Sequence, residues 1–301
     1  MAEPRISVVI PAYKAIGTID AAIRSVLAQT VPPHEIIVVD DGSPDETAAH
    51  VARNYPSIRL LRQANAGCGM ARNTGAAVAE GDWLAFLDAD DIWLPRKLER
   101  QIPETADDKV AVVACRSLGQ KAPPFLASPA FEDFWQRNQI VVSSCLVRRA
   151  AFEQLGGFWS RRACEDYHLW LRLTGQGWRI VNCAEELAVY APSALSLSRQ
   201  IESFAEAEFA CLGDVAEQLG IPPDRVRPRL ATCCLRHCHG AIHHRQMRTA
   251  RRLALRSLRY GMSMRQIAAL LVACTPATLL DARRWILEAT RPAQPGIAVR
   301  R

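Results

Sequence analysis

The sequence predicts an α/β fold in which a mostly parallel sheet carries helices on both faces and a helical C-terminal region follows. Three observations predict it. Apolar runs of strand length recur at residues 6–10, 36–39, 58–61 and 83–87. The stretches between them carry helical spacing or helix start signals. From about residue 198 onward the pattern is helical throughout, broken most clearly at Pro222-Pro223. Strands separated by helices need right-handed crossovers, which makes neighbouring strands parallel.

Each element has its own reason. After the first strand, Ile19, Ala22, Ile23, Val26 and Leu27 repeat at helical spacing. The second strand ends in Asp40-Asp41-Gly42, and Ser43-Pro44-Asp45-Glu46 behind it reads as a capping box with proline at the first helical position. Residues 70–79 form a helix closed by Gly81, and 83–87 a fourth strand. Residues 110–115 and 140–147 read as further strands, and 149–155 as a helix with Gly156-Gly157 at its end. Residues 165–173 are helical, and 178–181 and 187–190 are two short strands. The domain boundary is placed near 200, giving a catalytic-type domain over 1–200 and an arginine-rich helical region over 201–301.

Composition narrows the class. With 301 residues, 49% hydrophobic and 23% charged, the chain can bury a core, which excludes disordered and fibrous classes. The start lacks the features of a secretory signal, and the longest late apolar run, 267–274, is too short to span a bilayer. A cytoplasmic location is expected. The ten cysteines lack paired spacing, so no disulfide framework is expected. Charge is uneven: sixteen arginines, no lysine and three acids lie between Pro222 and Arg301, although the whole chain carries a net charge of only +6.

The chemistry concentrates at strand ends. Asp88-Ala89-Asp90-Asp91 follows the apolar fourth strand, at the edge where open α/β sheets bind ligands. Carboxylates there suit a hard divalent cation held against a nucleotide diphosphate. Tyr13 offers a ring on which a planar base can stack, Arg72 a planar cation among glycines, and Glu165-Asp166 an acidic pair in the first turn of a helix. Bland alternatives stand beside these: helix capping by Asp40 and Asp41, and a helix-dipole role for Glu165-Asp166.

Five segments in order, Ser7-Val-Val-Ile-Pro-Ala-Tyr13, Val38-Val-Asp-Asp-Gly-Ser43, Asn65-Ala-Gly-Cys-Gly-Met-Ala-Arg-Asn-Thr-Gly75, Phe86-Leu-Asp-Ala-Asp-Asp-Ile-Trp-Leu-Pro95 and Glu165-Asp-Tyr-His-Leu-Trp-Leu-Arg172, resemble the family 2 inverting glycosyltransferases of GT-A fold, which act on bacterial cell-surface glycans. The resemblance covers residues 5 to about 200 and implies a Rossmann-like sheet and a nucleotide-sugar donor, a UDP-sugar. It places Pro11, Ala12 and Tyr13 around the base and assigns Asp41 to the base itself, leaving Asp40 to order the loop. Arg72 lies near the nucleotide, Asp88 goes to the ribose, and Asp90 to Mn2+ or Mg2+. Asp166 is the catalytic base, with Glu165 as a supporting acceptor contact. One departure concerns a Tyr-Arg-x-His stretch of the family, which here reads Tyr190-Ala191-Pro192-Ser193; serine is a poor metal ligand.

The arginine-rich region recurs at Arg245, Arg248, Arg251, Arg252, Arg256 and Arg259 between leucines, as in a basic amphipathic helix on an anionic membrane. An ordinary packed helix with a solvated charged face is the alternative. No nucleic-acid motif is present, so no nucleic-acid partner is expected. The Cys233 to His244 cluster lacks zinc-site spacing, and Asp281-Ala-Arg-Arg-Trp285 lacks the glutamine of processive synthases, so transfer of a single sugar to a glycan or lipid-linked acceptor is expected. The rival readings are a sugar-phosphate nucleotidyltransferase and a non-catalytic nucleotide-sugar-binding protein of the same fold.

Overall fold

A computed structural model describes residues 4–119, 124–191 and 200–275. The chain divides into two compact units, Met1–Pro222 and Pro223–Arg301. Among the described residues, no helix is long and apolar enough to cross a membrane, and none of the ten cysteines is in a disulfide.

In the first unit the strands are β1 (Ile6–Ala12), β2 (Glu35–Asp40), β3 (Arg59–Arg62), β4 (Trp83–Phe86), β5 (Ile92–Trp93), β6 (Val110–Leu118), β7 (Leu146–Arg148) and β8 (Arg179–Val189). They form one sheet in the order β3-β2-β1-β4-β7-β6-β8-β5. The half built from β1 to β4 is parallel throughout. Beyond it, β7 runs antiparallel to both β4 and β6, while β8 lies parallel to β6 and antiparallel to β5. The helices of this unit are α1 (Ile19–Leu27), α2 (Thr47–Asn54), α3 (Cys68–Ala77), α4 (Lys97–Gln101), α5 (Phe131–Gln136), α6 (Arg149–Gln154), α7 (Glu165–Gly175) and α8 (Ile201–Gln218). The second unit contains α9 (Pro223–His243), α10 (Met247–Leu258) and α11 (Met264–Cys274).

The parallel half is covered on both faces, which is why its strands read as continuous apolar runs rather than alternating ones. Ile6, Val8, Ile10 and Ala12 of β1 enter a core with Ile19, Ile23 and Val26 of α1. Val9, of opposite parity, faces α3. There Gly75 makes the approach possible: a Cβ on it would sit 2.4 Å from Val9 Cγ1 and 3.1 Å from Val39 Cγ2. A helix pressed this closely onto β1 and β2 holds its own first turns, and therefore Arg72, at a fixed height above the strand ends.

The structure departs from the sequence reading at four places. The capping box at Ser43 does not form: Ser43 Oγ accepts from Lys14 N at 3.0 Å, and α2 starts only at Thr47, whose N–H donates to Asp45 Oδ1 at 3.2 Å. The 140–147 stretch is a strand only in its last residues; Val142–Ser144 is a 3-10 turn, with Ser144 Oγ donating to Val141 O at 2.7 Å. The two short strands after residue 178 are one long strand, β8, which follows β6 through register shifts. Finally, the division between units falls after α8 rather than near 200, because α8 packs on α7, where His168 Nε2 and Asp214 Oδ2 share a 2.7 Å hydrogen bond.

One buried cation has no counterpart in the sequence reading. Lys97 is fully buried, its Nζ donates to Gln101 Oε1 at 2.7 Å and lies 4.0 Å from the Trp93 ring centroid, and burial pushes its pKa down to about 8. Gln101 in turn donates to Val113 O and Ser144 O, both at 2.8 Å, tying α4 to the middle of the sheet.

The seating of α3 is testable. Gly75→Ala forces the Val9 and Val39 methyls aside and is expected to lower unfolding stability by about 1 to 3 kcal/mol. Urea unfolding should show a lower midpoint at unchanged slope; an unchanged midpoint would mean that α3 does not rest this closely on the sheet.

Candidate functional site

The site begins where the parallel strands end. Past β4, the backbone N–H of Asp88 donates to Ser143 Oγ at 3.1 Å, and Asp88 Oδ1 accepts from Arg72 Nη2 at 2.5 Å. Arg72 Nη1 donates to Glu165 Oε1 at 2.7 Å, the oxygen that also accepts from the Cys68 thiol at 3.0 Å. The guanidinium thus bridges the end of β4 and the start of α7. It is buried, lies 5.5 Å from the Phe158 ring centroid, and its Nε has no hydrogen-bond partner among the described residues. Burial opposes its charge, but Asp88 and the other anionic groups beside it outweigh that and raise its pKa.

The backbone enters α7 through two consecutive non-glycine residues in the left-handed region, Ala163 at φ +69° and Cys164 at φ +61°. Residues held there cost about 1 to 3 kcal/mol each and persist only where the surroundings impose them. The turn they make presents Glu165 and Asp166 side by side at the helix start. Asp166 Oδ2 accepts from Asn138 Nδ2 at 3.1 Å and Oδ1 from Tyr167 N at 2.6 Å. Burial, then the neighbouring Glu165, pushes Asp166 up to about 6.

These groups share one cavity of about 240 Å³, whose wall includes Cys68, Arg72, Asp88, Asp91, Glu165 and Asp166. Asp91 is buried and accepts from Ala191 N at 3.0 Å. Burial and the charge of Asp88 raise its pKa, and the same two causes raise that of Asp90. Of the residues singled out in the sequence, the structure therefore brings Arg72, Asp88, Glu165 and Asp166 together on this wall. Asp90 is not among the residues lining this cavity but is near enough to Asp88 for the two charges to oppose each other. Asp91, Cys68, Ser143 and Asn138 were not assigned roles from sequence. Asp91 sits in the quartet already noticed; for Ser143, in the stretch that departs from the strand reading, and Asn138, just before it, no local signal existed.

The nucleotide-side residues lie one loop away. Asp41 is buried, and its carboxylate accepts from Gln63 Nε2, Ala66 N and Gly67 N, each at 2.8 Å. It fixes the loop that leads into α3. Asp40, expected to order a loop, makes a single contact from Ser43 N at 3.3 Å and leaves Oδ1 buried without a partner among the described residues. The ordering contacts thus fall to Asp41, because its position just past the strand faces the 63–67 turn. Pro11 and Ala12 are buried in the last residues of β1, whereas the Tyr13 side chain is 48% exposed, with Lys14 Nζ 5.4 Å from its ring centroid. Ser193 and the 281–285 segment lie outside the described residues.

Four acidic side chains against one arginine leave the cavity wall short of positive charge. Burial first, and the charge of Asp88 second, raises the pKa values of Asp90 and Asp91. An all-oxygen donor set of this kind fits a hard divalent cation such as Mn2+ or Mg2+. It also leaves Asp166, held by two donors and partly open, as a carboxylate able to receive a proton near neutral pH.

Comparison with known proteins bears on family and fold. The profile described as glycosyl transferase family 2 matches residues 7–156, a span that carries the ends of β1, β2 and β4. The uncharacterized glycosyltransferase YibD of Escherichia coli K12 is 41% identical over 116 residues, 38% of this chain, and the chain spans only 34% of that protein's length. The UDP-Glc:alpha-D-GlcNAc-diphosphoundecaprenol beta-1,3-glucosyltransferase WfgD of Escherichia coli is 31% identical over 70% of this chain and 87% of its own length. In fold, the chain is similar to Staphylococcus aureus TarS residues 1–349 in complex with UDP-GlcNAc, with a TM-score of 0.67 at 18% identity over 93% of this chain and 92% of that one. It is also similar to the mannosyltransferase PcManGT of Pyrobaculum calidifontis in complex with GDP-Man and Mn2+, with a TM-score of 0.62 at 21% identity, covering 97% and 82%. With the expected GT-A architecture in place, and a match that runs along most of WfgD, the chain belongs to glycosyl transferase family 2.

Proposed function

We propose that the protein moves one sugar from a nucleotide diphosphate donor, a UDP-sugar, to an acceptor hydroxyl with inversion at the anomeric carbon. The observation that carries this reading is the carboxylate-walled cavity at the strand ends, with Asp166 on its wall as a partly open carboxylate of raised pKa. The names of the relatives support the donor and acceptor classes: WfgD is named for UDP-Glc and a diphosphoundecaprenol-linked acceptor, and TarS was solved with UDP-GlcNAc.

Asp166 takes the acceptor hydroxyl's proton as that oxygen bonds to the anomeric carbon and the bond to the nucleoside diphosphate breaks, releasing UDP. Asn138 and Tyr167 N hold the carboxylate in place for this, and Glu165 contacts the acceptor beside it. On the donor side, Tyr13 stacks on the base at the end of β1, with Pro11 and Ala12 forming the wall beneath. Asp41, with three donors already, keeps room for one more, the imide N–H of uracil. Asp88 receives the ribose, and Arg72 acts from below by holding Asp88 and Glu165. Asp90, with Asp91 beside it, would hold Mn2+ or Mg2+, which when bound offsets charge on the departing diphosphate. The arginine-rich second unit rests on an anionic membrane at its cytoplasmic face, where a lipid-linked or glycan acceptor would be met.

Three outcomes are expected. Asp166→Asn should lower UDP release in the presence of acceptor by about 10²- to 10⁴-fold, while calorimetry shows UDP binding retained; loss of binding as well would make the residue structural. Because the base must be ionised, kcat at saturating donor should fall about tenfold per pH unit below about pH 6 and level off above it. A profile flat across that range rules out a carboxylate of this pKa as the base. Removing divalent cations with a chelator should abolish turnover and weaken UDP binding, with both restored by Mn2+ or Mg2+; turnover that survives chelation would exclude a metal-assisted step.

A further inference from the structure

The turn that follows β1 carries a cation to which the proposed transfer gives no role. Lys14 lies in the left-handed region at φ +51°, a conformation that glycine and asparagine adopt far more readily than lysine. Two hydrogen bonds impose it. Lys14 N donates to Ser43 Oγ at 3.0 Å, and Ala15 N donates to Thr47 Oγ1 at 3.0 Å, so the turn is fastened to the segment that follows β2. The lysine side chain returns toward the strand end, with Nζ 5.4 Å from the Tyr13 ring centroid. Lys14 and Tyr13 are both exposed, and among the described residues no carboxylate pairs with this ammonium. Unfavourable backbone held in place by its surroundings is found preferentially where a protein binds or reacts.

Three chemistries meet at the ends of β1 and β2. Asp41 N donates to Ala12 O at 2.8 Å, which sets Asp41 beside the residue that precedes Tyr13. Tyr13 supplies a ring, Asp41 a carboxylate that only accepts, and Lys14 an ammonium that only donates. Uracil carries the complement along one edge, an imide N–H flanked by two carbonyl oxygens. A cation serving only the diphosphate would help every nucleoside diphosphate alike and would need no place beside the ring.

We propose that Lys14 is a specificity residue of the donor site: its ammonium donates to O4 of a uracil stacked on Tyr13, and so selects uracil over cytosine. This rests on the proposed placement of the base at Tyr13 and Asp41 and of the ribose at Asp88. Topology decides which carbonyl is read. O2 lies next to the ring nitrogen that carries the ribose, and O4 lies across the imide N–H from it. With the ribose at the end of β4, O2 faces β4 and O4 faces the opposite side. In the sheet, β4 flanks β1 on one side and β2 flanks it on the other, and Lys14 is fastened to the β2 side through Ser43. Its flexible stem carries a compact charge that can follow the base edge. In cytosine the O4 position is an amino group, which meets the ammonium donor to donor, and the adjacent ring nitrogen has no hydrogen for Asp41.

Calorimetric titration of the full chain with UDP and with CDP, both in the presence of Mn2+, tests it. The wild type is expected to bind UDP about thirtyfold more tightly than CDP. Lys14→Asn suits the left-handed turn, checked by an unchanged thermal midpoint, but removes the charge and its reach. It should weaken UDP binding about tenfold and leave CDP binding unchanged. Lys14→Arg, which still donates, should keep most of the preference for UDP. Equal losses for UDP and CDP in Lys14→Asn would place the cation on the diphosphate they share and overturn the proposal, and so would an unchanged ratio of the two affinities. A wild type that binds neither nucleotide would overturn the donor site itself, and this reading with it.

Discussion

The buried guanidinium of Arg72 is the interaction on which the site depends. It ties the carboxylate at the end of β4 to the one that opens α7, two elements more than seventy residues apart in sequence. A buried ion pair of this sort adds little net stability, but removal of one member costs about 3 to 5 kcal/mol because the remaining charge is stranded away from water. The surrounding structure is arranged to keep the guanidinium where it is. Asp41 gathers the backbone of the 63–67 loop and so sets where α3 begins, Gly75 lets that helix settle on β1 and β2, and the Phe158 ring lies against the cation.

The same constraint explains the electrostatics. Carboxylates crowd toward one end of the sheet because a parallel arrangement places every loop that follows a strand on the same edge. Arg72 neutralises part of that charge, while burial and then a neighbouring carboxylate raise the pKa values of Asp90, Asp91 and Asp166. The two units differ in character accordingly. The acids of the site lie on the loops and the helix start at one end of the sheet, while the basic groups of the second unit repeat along helices with few acids of their own.

Much of this was legible in the sequence, for identifiable reasons. Strands β1 to β4 and helices α1, α3 and α7 announce themselves through local periodicity, and the residues that follow the strands, Tyr13, Asp41 and Asp88, can be placed on one edge from topology, whereas Glu165 at the start of α7 came to the site only through the family resemblance. What was not legible depends on partners distant in sequence. The hydroxyl of Ser43 is a good helix cap until the backbone of Lys14 claims it. Residues 140–147 are apolar enough for a strand, but Ser143 and Ser144 turn there to serve Asp88 and Gln101. Lys97 looks like a surface residue until Trp93 and Gln101 enclose it. The exchange of contacts between Asp40 and Asp41 has the same origin: two adjacent carboxylates point opposite ways at a strand end, and only the folded loop decides which one meets donors.

The paired left-handed residues Ala163 and Cys164 set the foldability of the chain against the precision of its acidic helix start. Glycine at either position would relieve the backbone and stabilise the isolated turn, yet it would also let the helix terminus swing, since side chains that penalise other conformations are what confine it. A lineage or a designer selecting for thermal robustness alone would be drawn toward that replacement. Ala-Cys instead favours carboxylate placement over melting temperature.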